Sequence, residues 1–99
     1  MKLKAKMYNY HDWIKYEDEK EFEKKCEKML IESGFKILNR VEHYFEPMGY
    51  TGLFLLAESH FAIHSFPEEE KIYIELSSCV EKYYNRFIGM INNYKNNSN

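Results

Sequence analysis

Residues 50–76 read YTGLFLLAESHFAIHSFPEEEKIYIEL, and this stretch determines the fold. Residues 50–58 form the most apolar segment of the chain, and strand-like segments follow at 59–66 and 71–76. The run Pro67-Glu68-Glu69-Glu70 predicts a turn between the last two segments. Because consecutive strands joined by short turns pair antiparallel, the stretch predicts part of a meander.

The preceding residues predict a fourth strand of the same meander. Residues 35–45 have a period of two. The turn Glu46-Pro47-Met48-Gly49 follows, in which proline presets one dihedral and glycine permits the reversal. The residues expected on one side of this strand are Ile37, Asn39, Val41, His43 and Phe45.

The helix signals flank the meander. Residues 18–33 repeat apolar side chains at helical spacing, with Asp18 and Glu21 as a capping box and Gly34 as the stop. A second amphipathic helix is predicted from Ser78 to about residue 94, with Ser78 and Glu81 as its capping box.

The two ends of the chain complete the prediction. Residues 2–10 alternate loosely and predict a first strand, and the Asn-rich residues 95–99 are expected to fray. The order β-α-β-β-β-β-α predicts an α+β fold: a two-layer sandwich with a mainly antiparallel sheet and two helices packed on one face.

Composition and charge narrow the function. The 99 residues predict a single domain, and 14 Lys and Arg against 16 Asp and Glu leave no basic surplus for a nucleic-acid partner. No apolar run approaches the length of a membrane span and no signal-type region opens the chain, so we expect a cytoplasmic protein. Cys26 and Cys79 are expected to be free thiols, since one pair is weak support for a disulfide scaffold.

Single polar residues of the meander point to no site. His60 and His64 would be same-face neighbours in a strand, and neither cysteine adds the CxxC spacing of a zinc site. Glu58-Ser59-His60 cannot act as a nucleophilic triad because adjacent strand residues face opposite sides. Ser59 and His64 also face opposite sides of a regular strand, so we expect a bulge or a bend to bring them together.

The meander as a whole resembles the S-adenosylmethionine decarboxylase proenzyme family, in its short bacterial and archaeal form. The most specific part of the resemblance is the Glu-Ser-His-x-Ala-Ile-His run. The matching segments are Gly49-Tyr50-Thr51-Gly52, Glu58-Ser59-His60-Phe61-Ala62-Ile63-His64, Phe66-Pro67-Glu68 and Ser78-Cys79.

The resemblance implies a self-processing enzyme. Ser59 would attack the carbonyl of Glu58, form an ester and, after elimination, leave a covalent pyruvoyl group at the start of residues 59–99. His64 would assist this processing and Thr51, which stands where the family usually has serine, would support it. The pyruvoyl carbonyl can form a Schiff base with the substrate amine, so neither metal nor pyridoxal phosphate is implied as a cofactor. Cys79 would be the proton donor of the decarboxylation.

The resemblance also implies the substrate site and the assembly. Phe45 would stack on the adenine of S-adenosylmethionine, Glu68 would accept hydrogen bonds from the ribose hydroxyls, and Phe66 replaces the more usual tryptophan. The implied role is spermidine (polyamine) biosynthesis, by a homodimer with its active sites near the subunit interface. Simple core packing of the two phenylalanines and surface exposure of Glu68 remain the alternatives.

Some positions depart from the family pattern. Val80 stands where glycine is common after the cysteine, Ser77-Ser78 replaces Phe-Thr, and the usual strand after the second helix is expected to be missing. Two other functions therefore stay open. One is a pyruvoyl-dependent decarboxylase for arginine or ornithine, and the other is an inactive paralogue that regulates a catalytic partner.

Overall fold

A computed structural model describes residues 5–97 of the chain. The strands form one antiparallel sheet in the order β1-β5-β4-β3-β2. The elements are β1 (Tyr8–Lys15), α1 (Glu19–Ser33), β2 (Ile37–Tyr44), β3 (Tyr50–Leu56), β4 (Ser59–Phe66), a short 3-10 helix (Pro67–Glu69), β5 (Lys71–Ser78) and α2 (Glu81–Asn96). The predicted α+β order and the four-stranded meander are confirmed.

Both helices pack on one face of the sheet and enclose the core. Phe61 of β4 meets Phe87 of α2 with ring centroids 5.2 Å apart, and both rings are fully or almost fully buried. The helix-facing side chains of β3, β4 and β5 fill the rest of this layer with those of α1. The core consists of Ile14, Phe22, Cys26, Met29, Leu30, Phe35, Tyr50, Phe54, Leu56, Phe61, Ile63, Ile72, Ile74, Leu76, Phe87 and Ile91.

The opposite face of the sheet, which we call the open face, carries exposed apolar side chains. Trp13, Val41, Leu53 and Leu55 are 45–62% exposed there. Val41, Leu53 and Leu55 lie on the neighbouring strands β2 and β3, where Val41 pairs with Leu53, whereas Trp13 lies on β1 at the other edge of the sheet. A contiguous apolar surface of this kind is a common feature of interfaces.

The first helix forms as predicted. The Asp18 carboxylate accepts a hydrogen bond from the Glu21 amide at 3.1 Å, and Gly34 ends the helix in the left-handed conformation. The predicted apolar side chains of α1 are buried, and so is Glu23, which the sequence placed on the solvated face.

Both ends of the chain differ from the prediction. The first strand covers Tyr8–Lys15 instead of residues 2–10, because its pairing with β5 over Lys71–Ser78 places Ile14 in the core. Residues 2–4 of the predicted strand lie outside the described residues. The predicted fraying from Lys95 is wrong for the first two residues, since α2 continues to Asn96 and Lys95 forms an ion pair with Asp12.

The second capping box is also wrong. β5 continues through Ser77 and Ser78, because Ser78 pairs with Tyr8 on one side and with Ser59 on the other. Helix α2 therefore begins at Glu81, and among the described residues no side chain caps it at Val80.

Strands β3 and β2 also differ from the prediction, β3 in its length and β2 in the direction of one side chain. β3 ends at Leu56, so that Ala57 and Glu58 form the turn to β4. In β2, the register shifts between Ile37 and Asn39, which turns Ile37 toward the helices while Asn39, Val41 and His43 face the other way.

Candidate active site

The turn between β3 and β4 places Glu58 in an uncommon backbone conformation. Its φ is 59°, in the left-handed region that glycine, asparagine and aspartate favour. For a residue with a Cβ this conformation costs about 1–2 kcal/mol. The Glu58–Ser59 peptide bond, which the sequence marks as the cleavage site, is thus preceded by local strain.

The Ser59 side chain is held inside the sheet. Ser59 is 7% exposed, and its hydroxyl donates a hydrogen bond to the Ser78 hydroxyl oxygen across 2.7 Å. The two serines are direct cross-strand partners of β4 and β5.

The two cysteines have different environments. Both are free thiols in the described part of the chain, as predicted. Cys79 is exposed just beyond β5, and its thiol donates to the carbonyl oxygen of Glu58 at 3.4 Å. Cys26 is in the core, where burial raises the pKa of its thiol and keeps it neutral. Of the two, Cys79 is the thiol next to the Glu58–Ser59 bond.

A second group of predicted residues lies at the other end of β4. Thr51 and His64 are cross-strand partners of β3 and β4, and Thr51 Oγ1 lies 2.9 Å from His64 Nδ1. This hydrogen bond fixes the orientation of the imidazole ring. On the open face, the centroid of the His64 ring lies 6.2 Å from the centroid of the Tyr73 ring.

A cavity of about 200 Å³ joins the predicted substrate residues to this pair. Phe45, Phe66 and Glu68 line it together with Thr51 and His64. Phe45 follows β2 and is half exposed, with its ring against that of His43 at 4.5 Å between centroids. Phe45 is therefore not part of the core, and its ring is accessible from solvent.

The two groups of site residues do not meet within one chain. Strand β4 keeps an unbroken register with β3 and β5 from Ser59 to Phe66, so the expected bulge is wrong. At a rise of about 3.3 Å per residue, Ser59 and His64 are separated by about 17 Å along the strand. The Ser59 hydroxyl faces the helices, and the His64 ring faces the open side.

A buried polar network supports the cavity from the helix side. The hydroxyl of Tyr50, which lines the cavity, donates to Glu23, and Arg40 Nη1 lies 2.6 Å from the other carboxylate oxygen of Glu23. Burial and the adjacent Glu23 carboxylate raise the pKa of Tyr50, so it remains a hydrogen-bond donor. This network could not be predicted from the sequence, because Glu23 looks like any other charged residue of the helix surface.

An aromatic flank beside Phe66 was also missed. The Trp13 ring lies 5.8 Å from Phe66 and 5.2 Å from Tyr73, and Lys71 Nζ lies 4.3 Å from the centre of the Trp13 ring. This neighbourhood follows from the pairing of Trp13 with Tyr73. Knowledge of the register between the first and last strands would have revealed it, but the prediction placed the first strand too early.

Two further properties concern residues 5–97, the part of the chain that the structure describes. Within this range, no set of three or more His, Cys, Asp or Glu side chains is grouped so that it could hold a metal ion. Neither of the helices described there combines the length and the apolar character that a membrane span needs.

The fold is shared with a known enzyme structure. The crystal structure of the adenosylmethionine decarboxylase from Aquifex aeolicus superposes with a TM-score of 0.74 and 21% sequence identity, over 98% of this chain and 86% of that one. At this identity the similarity establishes the common fold.

Sequence comparisons identify the family. The family described as S-adenosylmethionine decarboxylase matches residues 3–93. The S-adenosylmethionine decarboxylase proenzyme of Prochlorococcus marinus is 47% identical over 47 residues, which are 48% of this chain and 38% of that protein. The proenzyme of Anoxybacillus flavithermus is 35% identical over 68 residues, 69% of this chain and 55% of that protein. The matches thus span about a third to a half of these relatives' lengths.

The chain belongs to the S-adenosylmethionine decarboxylase family, as the match over residues 3–93 shows.

Proposed function

We propose that this chain is a self-processing, pyruvoyl-dependent decarboxylase that acts on S-adenosylmethionine and serves spermidine biosynthesis. The observation that carries the proposal is the assembly at the β3–β4 turn. There the Cys79 thiol contacts the carbonyl of the strained Glu58, and the Ser59 hydroxyl is buried next to the same peptide bond.

The assembly suits an internal attack on the peptide bond. Ser59 Oγ bonds to the Glu58 carbonyl carbon, the C–N bond breaks, and the hydroxyl proton ends on the released nitrogen. Cys79 donates to the Glu58 oxygen, where negative charge develops during the attack. Loss of the Ser59 α-proton then breaks the bond between Cβ and the ester oxygen, which releases residues 1–58 as a carboxylate. Water converts the remaining dehydroalanine at position 59 into the pyruvoyl group, and ammonia leaves.

His64 and Thr51 are proposed to assist the proton transfers of processing. The bond between Thr51 Oγ1 and His64 Nδ1 leaves Nε2 as the free ring nitrogen for exchange of a proton. Thr51 keeps the hydroxyl that this arrangement needs, and its role is to orient the ring.

The residues at the cleavage site fit a pyruvoyl group at position 59. When formed, this group supplies an electrophilic carbonyl that draws off electrons as carbon dioxide leaves the substrate. Cys79, exposed and next to the cleaved bond, holds a proton on Sγ for return to the substrate carbon. Neither a metal nor pyridoxal phosphate has a part in this proposal.

The cavity at the far end of β4 is proposed to bind the nucleoside part of the substrate. Phe45 and Phe66 offer aromatic faces for the adenine, and the Glu68 carboxylate can accept hydrogen bonds from the two ribose hydroxyls. An aromatic pair suits a flat heterocycle, and arginine or ornithine offers none.

The separation of the two groups supports the proposal of a homodimer. In a dimer with two-fold symmetry, the strands of the two copies can run in opposite directions. The Ser59 end of each chain then lies beside the His64 end of its partner, so the dimer contains two such sites. The exposed apolar side chains Val41, Leu53 and Leu55 of the open face supply a surface for such contact. We therefore propose that each active site combines the Glu58–Ser59 bond and Cys79 of one copy with Thr51 and His64 of its partner.

The alternatives receive less support. The matched family and the relatives named above carry the name of S-adenosylmethionine, which does not favour an arginine or ornithine decarboxylase. A regulatory paralogue without activity would have no need for the contact of Cys79 with Glu58 or of Thr51 with His64.

Release of labelled carbon dioxide tests the proposed function. The purified wild-type protein is incubated in parallel with carboxyl-labelled S-adenosylmethionine, arginine and ornithine, with Ser59→Ala as the inactive control. We expect release from S-adenosylmethionine alone and none from the control. Release from a free amino acid alone would reverse the substrate assignment, and release from none of the three by a cleaved protein would contradict the decarboxylase.

A further inference from the structure

Ser78 lies behind the cleavage site and is completely buried. Its hydroxyl oxygen accepts two hydrogen bonds, one from the Ser59 hydroxyl at 2.7 Å and one from the Val80 amide at 2.9 Å. A hydroxyl oxygen has two lone pairs, so both are used. The Val80 amide therefore holds the Ser78 oxygen in a fixed place, where it accepts the hydrogen bond from Ser59.

This position differs from the helix cap that the sequence pattern predicts for Ser78. A capping serine would turn its hydroxyl toward the amides of the helix's first turn. Here α2 begins at Glu81, and the Ser78 side chain turns into the sheet toward its cross-strand partner Ser59. The Ser78 hydroxyl is thus hydrogen-bonded to the residue that performs the attack.

We propose that Ser78 is a positioning residue for chain cleavage, an inference that rests on the proposed function. By accepting the hydrogen bond of the Ser59 hydroxyl, Ser78 fixes the rotamer of Ser59 and leaves the lone pairs of the attacking oxygen free to reach the Glu58 carbonyl carbon. Cys79 holds the oxygen of that same carbonyl. Two consecutive residues, the last residue of β5 and the one that follows it, thereby orient both partners of the reaction.

Within one chain, Ser78 and not His64 is placed to orient the Ser59 hydroxyl. His64 lies about 17 Å along β4 and on the other side of the sheet, so it cannot hold the Ser59 hydroxyl of its own chain. The proton balance needs no external reagent. The new O–C bond replaces the C–N bond, and the proton that leaves Ser59 Oγ ends on the amide nitrogen.

The test compares threonine with valine at position 78, because the two side chains have nearly the same shape and differ in the hydroxyl. Freshly synthesised Ser78→Thr, Ser78→Val, Ser78→Ala and wild-type chains are followed for fragment formation, and thermal melting reports the folded fraction. Ser33→Ala is the matched control, since Ser33 is equally buried and donates its hydroxyl over 2.7 Å to the Met29 carbonyl, away from the site.

We expect Ser78→Thr and Ser33→Ala to cleave within about threefold of the wild-type rate, and Ser78→Val and Ser78→Ala to cleave about tenfold slower or worse, from the loss of one hydrogen bond of about 1.5 kcal/mol. Hydroxylamine, which cleaves esters, should trap proportionately less ester in Ser78→Val. This readout reports the attack itself, which a general loss of stability would not change in folded protein.

The outcomes separate the two proposals. An uncleaved wild-type chain contradicts the proposed function whatever Ser78 does. A cleaving wild type with an equally fast folded Ser78→Val or Ser78→Ala overturns the role of Ser78 and leaves the proposed function in place. A Ser78→Thr chain as slow as Ser78→Val would also overturn it, since the hydroxyl would then not be the group that matters.

Discussion

The thiol of Cys79 donates a hydrogen bond to the carbonyl oxygen of Glu58 over 3.4 Å. The contact links the residue after β5 to the turn between β3 and β4, and it lies on the peptide bond that the proposal marks for cleavage. A thiol is a weak donor, so this contact alone contributes little to stability. In the proposed function its importance is chemical, because the thiol lies next to the Glu58–Ser59 bond before cleavage and next to the pyruvoyl group after cleavage.

Replacing Cys79 should therefore affect the two stages unequally. In Cys79→Ala we expect cleavage to slow by about threefold to tenfold, the effect of one weak hydrogen bond. Decarboxylation by the cleaved protein should fall by about a hundredfold or more, as for the loss of a general acid. Fragment formation and carbon dioxide release, measured on the same preparation, check both values. Unchanged turnover would remove the role of Cys79 as proton donor.

Mixed dimers test whether the site is shared between copies. Ser59→Ala and His64→Ala each remove one half of the site, and neither variant should cleave efficiently alone. In a dimer of one chain of each kind, one site is intact, so random pairing restores about a quarter of all sites. Coexpression with distinguishable tags should yield fragments of the His64→Ala chain and none of the Ser59→Ala chain. If the His64→Ala chain stays intact in the mixture, His64 acts within its own chain and the shared site is wrong.

Much of the fold could be predicted from the sequence because its signals are local. The first helix carries its own cap at Asp18 and its own stop at Gly34, and both function as the pattern indicates. The second capping box failed at Ser78 because pairing of β5 with two neighbouring strands outweighs a local cap. The first strand failed for a similar reason, since its position is set by the register with β5.

Two glycines should respond to alanine in opposite directions. A Cβ at Gly52 would lie 2.5 Å from the Tyr50 hydroxyl, which is buried and bound to Glu23, so Gly52→Ala should destabilise the fold by about 1–3 kcal/mol. Gly89 in α2 has open space at the same position, so Gly89→Ala should stabilise it by about 0.5–1 kcal/mol. Urea unfolding measures both. A Gly52→Ala protein as stable as wild type would show that the Tyr50 ring is not held rigidly.

Asp12 should make stability depend on pH. Burial alone would raise its pKa, but hydrogen bonds from Lys95, Tyr10 and the Trp13 amide together lower it. A carboxylate whose pKa is lowered by folding contributes stability above its unfolded pKa of about 4, and this contribution is lost as pH falls through the folded pKa.

Asp12→Asn should therefore lower the free energy of unfolding by about 1 kcal/mol at pH 7, and the difference from wild type should shrink toward zero in acid. Glu69→Gln is the control, since the exposed Glu69 pairs with Lys71 at the surface and should have little effect at either pH. A deficit of Asp12→Asn that stays constant down to pH 3 would show that the side chain acts through packing and not through its charge.

The residues of the candidate site could be predicted from the sequence, but their arrangement in space could not. The motif residues Thr51, His64 and Phe66 were named from the sequence, and the structure gathers them around one cavity. Their distance from Ser59 was not foreseen, because a strand's period shows which side a residue faces and not whether a bulge will shorten the path. The unbroken register of β4 settles that point.

The central claim is the conversion of Ser59 at the Glu58–Ser59 bond. Intact mass spectrometry of the purified wild-type chain and of Ser59→Ala measures it most directly. We predict fragments of residues 1–58 and 59–99, the second lighter than plain hydrolysis would give by the mass of one ammonia, and an intact Ser59→Ala chain. A single uncut wild-type mass after prolonged incubation, or a second fragment that retains an ordinary amino-terminal serine, would contradict the account.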